Sequence, residues 1–206
     1  MEKFVITIAR GYGSGGRTIG QMLSKDLEIS YYDKEILRLA SDESGINESL
    51  FALSDEKLKN SLLEKVAHDV YRGEIISPEK PDFTSEKNLF NYQAKILKEL
   101  ASKESCVIIG RCADFVLKDI KNLVRVYVHA PIEYCIQNLE ELLNVPTKEI
   151  EKIVQKTDKQ RADYYKHYTG NDWRNADNYD LCLNSQELGF DKCVDIIKAY
   201  LNIRFS

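Results

Sequence analysis

Hydrophobic positions recur along this chain in two rhythms, short β-branched runs and longer stretches with apolar residues three or four apart. Phe4-Val5-Ile6-Thr7-Ile8-Ala9 is a run of the first kind and predicts a buried strand. Ile19, Met22, Leu23 and Leu27 follow at helical spacing. Ile29 to Tyr32 predicts a short strand ending at Asp33, which either N-caps the next helix, Lys34 to about Ser41, or serves a ligand. Gly45 breaks that helix, and helical stretches follow around Glu48–Leu53 and Asp55–Arg72. Leu58, Leu62, Val66 and Val70 stripe the second of these and read as core. The segment 73–87, with Pro78 and Pro81, reads as a long loop, before Ser85 opens a helix whose inner face is Leu89, Gln93, Ile96, Leu97 and Leu100.

The second half alternates again. Cys106 to Gly110 predicts a strand, Ala113 to Leu117 a short helix, Leu123 to Val128 a strand, and Ile132 to Leu143 a helix with Pro131 at its first turn. Thr147 is expected to cap a long charged helix carrying Ile150, Ile153 and Val154 inward. A polar loop, Gly170 to Asn178, precedes a last strand, Asp180–Asn184, and a closing helix with Phe190, Val194, Ile197 and Leu201 on one side. Strands separated by helices predict an α/β fold, a parallel five-stranded sheet covered on both faces.

Bulk properties narrow the function classes. The 206 residues suit one domain, 1–206, and the 43% hydrophobic and 30% charged content is that of a soluble globular protein. A net charge of −4 disfavours nucleic-acid binding through bulk charge, and no apolar run reaches membrane-spanning length or forms a leader at the N-terminus. Cys106, Cys112, Cys135, Cys182 and Cys193 are scattered and odd in number, which reads as reduced thiols in a cytoplasmic protein.

Candidate chemistry gathers where the first strand ends. Gly11-Tyr12-Gly13-Ser14-Gly15-Gly16-Arg17-Thr18 has the spacing of a phosphate-binding P-loop, with Arg17 where lysine is usual. The same residues satisfy the dinucleotide fingerprint Gly11-x-Gly13-x-x-Gly16, with Asp33 placed to grip a ribose, so this stretch alone leaves both open. Ligands of parallel sheets bind beyond the carboxyl ends of the strands, which brings the glycine loop, Asp33, Gly110-Arg111 and His129 to one edge. The plainer readings are a tight turn for the glycines, a surface ion pair for Arg111 and a satisfied polar residue for His129. Further on, Asp158, Arg161 and Tyr165 share a helical face, and Arg17, Arg111 and Arg161 together would surround a migrating phosphoryl group.

Taken together, the chain resembles the cytidylate kinase-like family of P-loop nucleoside monophosphate kinases. The resemblance rests on Ile8 to Gly20, Tyr31-Tyr32-Asp33-Lys34-Glu35, Val107 to Asp114, Lys156 to Tyr165, Tyr168 to Trp173 and Tyr179 to Ser185, in that order, and is weakest from about Ser41 to Asn88. It implies a three-layer sandwich with a core (1–33, 104–145 and 178–206), a helical monophosphate-binding region (34–103) and a lid-like region (146–177). The implied activity is transfer of the ATP γ-phosphoryl group to CMP or dCMP with Mg²⁺, in the cytoplasm, by a monomer or homodimer. Gly11 to Gly16 would cradle the ATP phosphates, Arg17 would replace the P-loop lysine, and Thr18 would hold the metal. Asp33, with Arg38 behind it, would face the monophosphate, Arg111 would hold the acceptor phosphate, and Asp158 and Arg161 would close from the lid. Where the family has Gly-Arg-Asp, this chain reads Gly110-Arg111-Cys112, with Asp114 two residues on as the candidate acid. A P-loop binding protein without transfer, or with another phosphoryl acceptor, is the alternative; a dinucleotide oxidoreductase is disfavoured by Arg17-Thr18.

Overall fold

A computed structural model describes residues 3–57 and 73–206. Most of the stretch expected to be helical over Asp55–Arg72, with its Leu58, Leu62, Val66 and Val70 stripe, lies outside the described residues.

Five strands form one sheet: β1 (Val5–Arg10), β2 (Ser30–Tyr32), β3 (Cys106–Ile109), β4 (Leu123–His129) and β5 (Leu181–Asn184). Their order is β2-β3-β1-β4-β5, and every pairing is parallel. Parallel strands need crossovers, and helices supply them. The helices are α1 (Gly16–Leu27), α2 (Glu35–Ser44), α3 (Glu48–Lys57), α4 (Glu86–Lys103), α5 (Ala113–Val116), α6 (Ile132–Leu143), α7 (Thr147–Thr169) and α8 (Ser185–Phe205). The reversal of direction on either side of β1 leaves a crevice above the carboxyl ends of β1, β3 and β4, where ligands of such sheets bind.

Alternation along the strands divides the core. Ile6, Ile8, Val107, Ile109, Val124, Val126 and Val128 meet Ile19 and Leu23 of α1 and Val194, Ile197 and Leu201 of α8 on one face. Val5, Ala9, Cys106, Ile108 and Tyr127 meet α2, α4, α5 and α7 on the other. Helices on both faces make the expected three-layer sandwich.

Several local expectations change. Asp33 does not cap α2; Lys34 occupies the N-cap, and the Asp33 carboxylate turns to Arg17 instead. Thr147 is the first residue of α7 rather than its cap: Pro146 holds the extended backbone before it, and the Thr147 hydroxyl donates to Glu140 Oε1 at 2.8 Å. Ser85 does cap its helix, accepting from the Asn88 N–H at 3.3 Å. The 73–87 segment contains a 3₁₀ turn, Pro81–Thr84, and is tied to α4. There the buried Asn88 accepts from Ile76 N–H and donates to the Ile76 and Phe83 carbonyls, while Asn91 donates to the Glu74 carbonyl.

Candidate active site

The site is assembled where β1 ends. The apolar strand delivers Arg10, the glycine loop turns over residues 11–15, and α1 begins at Gly16. Helix geometry leaves the Gly16, Arg17 and Thr18 N–H groups without intrahelical acceptors, aimed with the positive end of the helix dipole at the crevice. Close approach dictates the loop composition. Gly13 sits at φ 83°, and a Cβ there would lie 2.6 Å from the Cys135 carbonyl oxygen of α6, so no larger residue fits. Asn138 of α6 donates to the Gly13 carbonyl at 2.9 Å, and Ser14 donates to the Gly11 and Val128 carbonyls at 2.9 and 3.1 Å.

Helix α7 lies directly against this loop. Asp158 Oδ1 accepts from the Tyr12 N–H at 2.7 Å, Arg161 Nη1 donates to the Arg10 carbonyl at 2.9 Å, and the Arg161 guanidinium lies 5.3 Å from the centre of the Tyr12 ring. Asp158 and Arg161 are themselves 3.6 Å apart, one helical turn along α7. Burial pushes the Asp158 carboxyl up from its ordinary value, and burial pushes the Arg161 guanidinium down.

A cavity of about 530 Å³ opens beside the loop. Arg10, Arg111 and Arg161 line it with Asp114, Lys34 and Gln160, and Tyr164 and Trp173 add aromatic faces. Arg111 arrives there on a strained turn: Gly110, Arg111 and Cys112 have φ of 67°, 61° and 52°, and the left-handed region costs two non-glycine residues on the order of 1–2 kcal/mol each. Asp114, on the following α5, is 5% exposed and accepts from the Tyr165 hydroxyl at 2.6 Å. Burial lifts its carboxyl to about 6, against the opposing pull of that hydrogen bond.

The structure thus brings Arg111, Arg161 and Asp114 to one cavity, and Asp158 and Arg161 to the glycine loop. Arg17 is half-exposed and its Nε lies 2.7 Å from Asp33 Oδ2. Thr18 is exposed on the first turn of α1. Arg38 is not brought in: it pairs with Asp42 at 3.2 Å on the exposed side of α2 and does not line the cavity. His129 stacks on Tyr127, with ring centres 5.9 Å apart, in a second cavity of about 590 Å³ that Asp158 also lines. The sequence did not single out Arg10, Lys34 or Gln160 as site residues, although each lies within a stretch that carries the family resemblance.

The model of the family described as the cytidylate kinase-like family matches residues 5–187. A cytidylate kinase of Sulfurisphaera tokodaii is 27% identical over 202 residues, covering 96% of this chain and 95% of that one. Among solved structures, an uncharacterized protein from Eubacterium ventriosum is similar with a TM-score of 0.70 at 23% identity, covering 97% of this chain and 99% of its own. A shikimate kinase from Bacteroides thetaiotaomicron follows the same fold with a TM-score of 0.55 at 14% identity, over 97% and 98% of the two chains.

Proposed function

From the fact that this chain belongs to the cytidylate kinase-like family, and is with it an ATP-dependent nucleoside monophosphate kinase, we propose that its acceptor is CMP or dCMP. The observation that carries this reading is the cavity where Arg111 and Arg161 flank Asp114 beside the glycine loop. Arg111 and Arg161 offer cations for an acceptor phosphate, and Asp114, Gln160, Tyr164 and Trp173 offer an acid, an amide and aromatic faces for a base. Asp114 takes the part of the acid absent at Cys112, whose thiol is buried. The region 34–103 would hold the nucleoside, and the region 146–177 would close over the reacting groups. The S. tokodaii relative's name, cytidylate kinase, points to the same acceptor.

In the reaction a non-bridging oxygen of the monophosphate attacks the ATP γ-phosphorus. The bond to the β,γ-bridging oxygen breaks, and its electron pair leaves with ADP, so no external oxidant or reductant enters. Charge spreads over the equatorial oxygens in the transition state, and fixed cations there stabilise it. Gly11 to Gly16 and the α1 N-terminus would hold the donor phosphates. Arg17 would leave Asp33 to meet them, and Asp33 would then face the acceptor. Asp158 and Arg161 would keep the loop in register from α7.

The residues fit a magnesium ion brought in by the nucleotide. Thr18 presents a hard hydroxyl oxygen on an exposed turn, and among the described residues no group of three His, Cys, Asp or Glu forms a closed cage, as suits an ion that keeps most of its ligands from phosphate and water. A Mg²⁺ ion held there would neutralise phosphate charge. No helix among the described residues is long and apolar enough to cross a membrane, and a cytoplasmic location, with reduced thiols, is part of the proposal.

Coupled measurement of ADP release with CMP, dCMP, UMP, AMP and GMP tests the reading. Turnover with CMP or dCMP above the others supports it; equal or greater turnover with a purine monophosphate overturns the cytidylate assignment.

A further inference from the structure

Arg10 occupies an unusual place for a residue at the end of a buried strand. Its side chain starts under the first residue of α1: a Cβ on Gly16 would lie 2.5 Å from Arg10 Cβ and 3.1 Å from its Cγ. The chain ends against the acceptor-side turn, where a Cβ on Gly110 would lie 2.2 Å from Arg10 Nη1. Two glycines from opposite sides of the crevice therefore clear a track for one guanidinium, which reaches the cavity shared with Arg111 and Arg161. Its side chain is only 16% exposed.

The surrounding charge is unbalanced. Among the described residues the only carboxylate within ion-pair distance of Arg10 is Asp33 at 4.0 Å, and Arg17 holds that carboxylate at 2.7 Å. Burial first, then the neighbouring Arg161, Arg111 and Arg17, push the Arg10 guanidinium below its ordinary range, with Asp33 opposing. A buried cation so placed is costly unless an anion completes the site. Arg17, in contrast, is half-exposed and already paired.

We propose that Arg10 is a catalytic residue, a phosphate-binding cation that bridges the terminal phosphate of the donor and the phosphate of the acceptor. This rests on the kinase reading of the cavity, but the phosphate-binding half stands without the identity of the acceptor. A planar, forked donor suits the role, because it contacts two phosphoryl groups at once where a lysine contacts one point. The cation at the transfer point is then supplied by the strand before the glycine loop as well as by Arg17 on the first turn of α1 after it.

The test compares the wild type with Arg10→Met, which removes charge at similar volume, in two measurements. The first is the melting temperature without ligand, with inorganic phosphate and with pyrophosphate. The expected result is that the empty variant melts no lower than the wild type, while the rise produced by either anion in the wild type falls by more than half. No anion-dependent rise in the wild type, or an undiminished rise in the variant, overturns the proposal. The second is steady-state turnover with MgATP and the best acceptor. The expected result is a loss of about 10²-fold or more in kcat, with a smaller change in the KM for ATP; kcat within a few-fold of the wild type overturns the catalytic role. If Arg10→Met does not fold, Arg10→Lys takes the same measurements: a weakened pyrophosphate-dependent rise with reduced kcat supports the bridging fork, and unchanged values of both overturn it. Should no monophosphate be phosphorylated by the wild type, the kinase assignment fails while the anion-dependent melting still decides whether Arg10 binds phosphate.

Discussion

The face of the sheet beneath α1 and α8 is closed by aliphatic side chains, whereas the face beneath α4, α5 and α7 buries tyrosines, a tryptophan and ionisable groups. On the first, Ile8, Ile19, Val126 and Ile197 are fully buried among apolar neighbours. On the second, Tyr127, Tyr165, Trp173 and Tyr179 are buried in one cluster, the Asp114 carboxyl accepts from the Tyr165 hydroxyl, and both cavities open there. Dispersion and water exclusion stabilise the first face without needing direction. The second depends on hydrogen bonds with defined partners, Tyr165 to Asp114 and Tyr179 to the Trp173 carbonyl at 2.7 Å, and so fixes positions at some expense of stability. A rigid apolar floor lets the chain carry an over-charged, strained site above it.

If this division is sound, substitutions on the two faces dissociate activity from stability. Arg161→Ala removes a cation from the cavity lining and the donor to the Arg10 carbonyl. Turnover is expected to fall about 10²–10³-fold, with a smaller change in the KM for ATP and a melting temperature close to the wild type. Steady-state kinetics and thermal unfolding on one preparation check it; equal losses in binding and rate would mean that Arg161 only anchors substrate.

Ile8→Ala is the converse. The side chain is fully buried between α1 and α8, and truncation leaves a cavity costing about 2–5 kcal/mol. Denaturant unfolding should show that loss with an unchanged m-value, while kcat per folded molecule stays at the wild-type level. A large fall in kcat would show that the floor is coupled to the site.

The polar face should also respond to pH. The Asp114 carboxyl stands at about 6 in the folded chain against about 3.9 when unfolded. Between these values the native state keeps a proton that the unfolded state has lost, so this group's contribution favours folding at low pH and is lost as pH rises through 6. Asp114→Asn removes the titration, and the variant should gain on the order of 2–3 kcal/mol relative to the wild type between pH 4 and 7. Tyr165, Tyr179 and Arg125, the groups that face Asp114, keep one charge state over that range, and the slopes from Asp158 and Asp180 cancel in the difference. Parallel pH profiles for the two proteins would remove Asp114 from the account.

The same division explains what the sequence could reveal. The aliphatic strands and the Ile19 and Leu23 face of α1 repeat with a period, and all five strands of the sheet were legible. The glycine loop was legible because backbone approach to neighbours restricts its residue types, as at Gly13. The polar face has no period. Asp114 meets Tyr165 across 51 positions, and Asn88 anchors the 76–83 stretch by contacts that no local pattern marks. Arg10 looks like a residue that merely ends a strand until Gly16 and Gly110 are placed around it. Conversely, the family resemblance carries Arg38 over with Asp33 to the monophosphate side, and here the helical turn of α2 places it on the outer side, paired with Asp42.

Arg38→Ala is therefore expected to have the smallest effect and sets the outer edge of the polar face. The side chain is 62% exposed and its Asp42 partner, one turn on, is equally so. Exposed pairs of this spacing are worth about 0.3–0.5 kcal/mol, and less at high salt. Leu37, its neighbour in sequence, lines the cavity while Arg38 does not, because adjacent helical residues point about 100° apart. Unfolding free energy should change by less than about 0.5 kcal/mol, and the acceptor KM should stay at the wild-type value. A several-fold rise in that KM with ATP saturating would show that α2 turns its outer side toward the acceptor during turnover, and the polar face would then extend beyond the cavity walls drawn by Lys34 and Leu37.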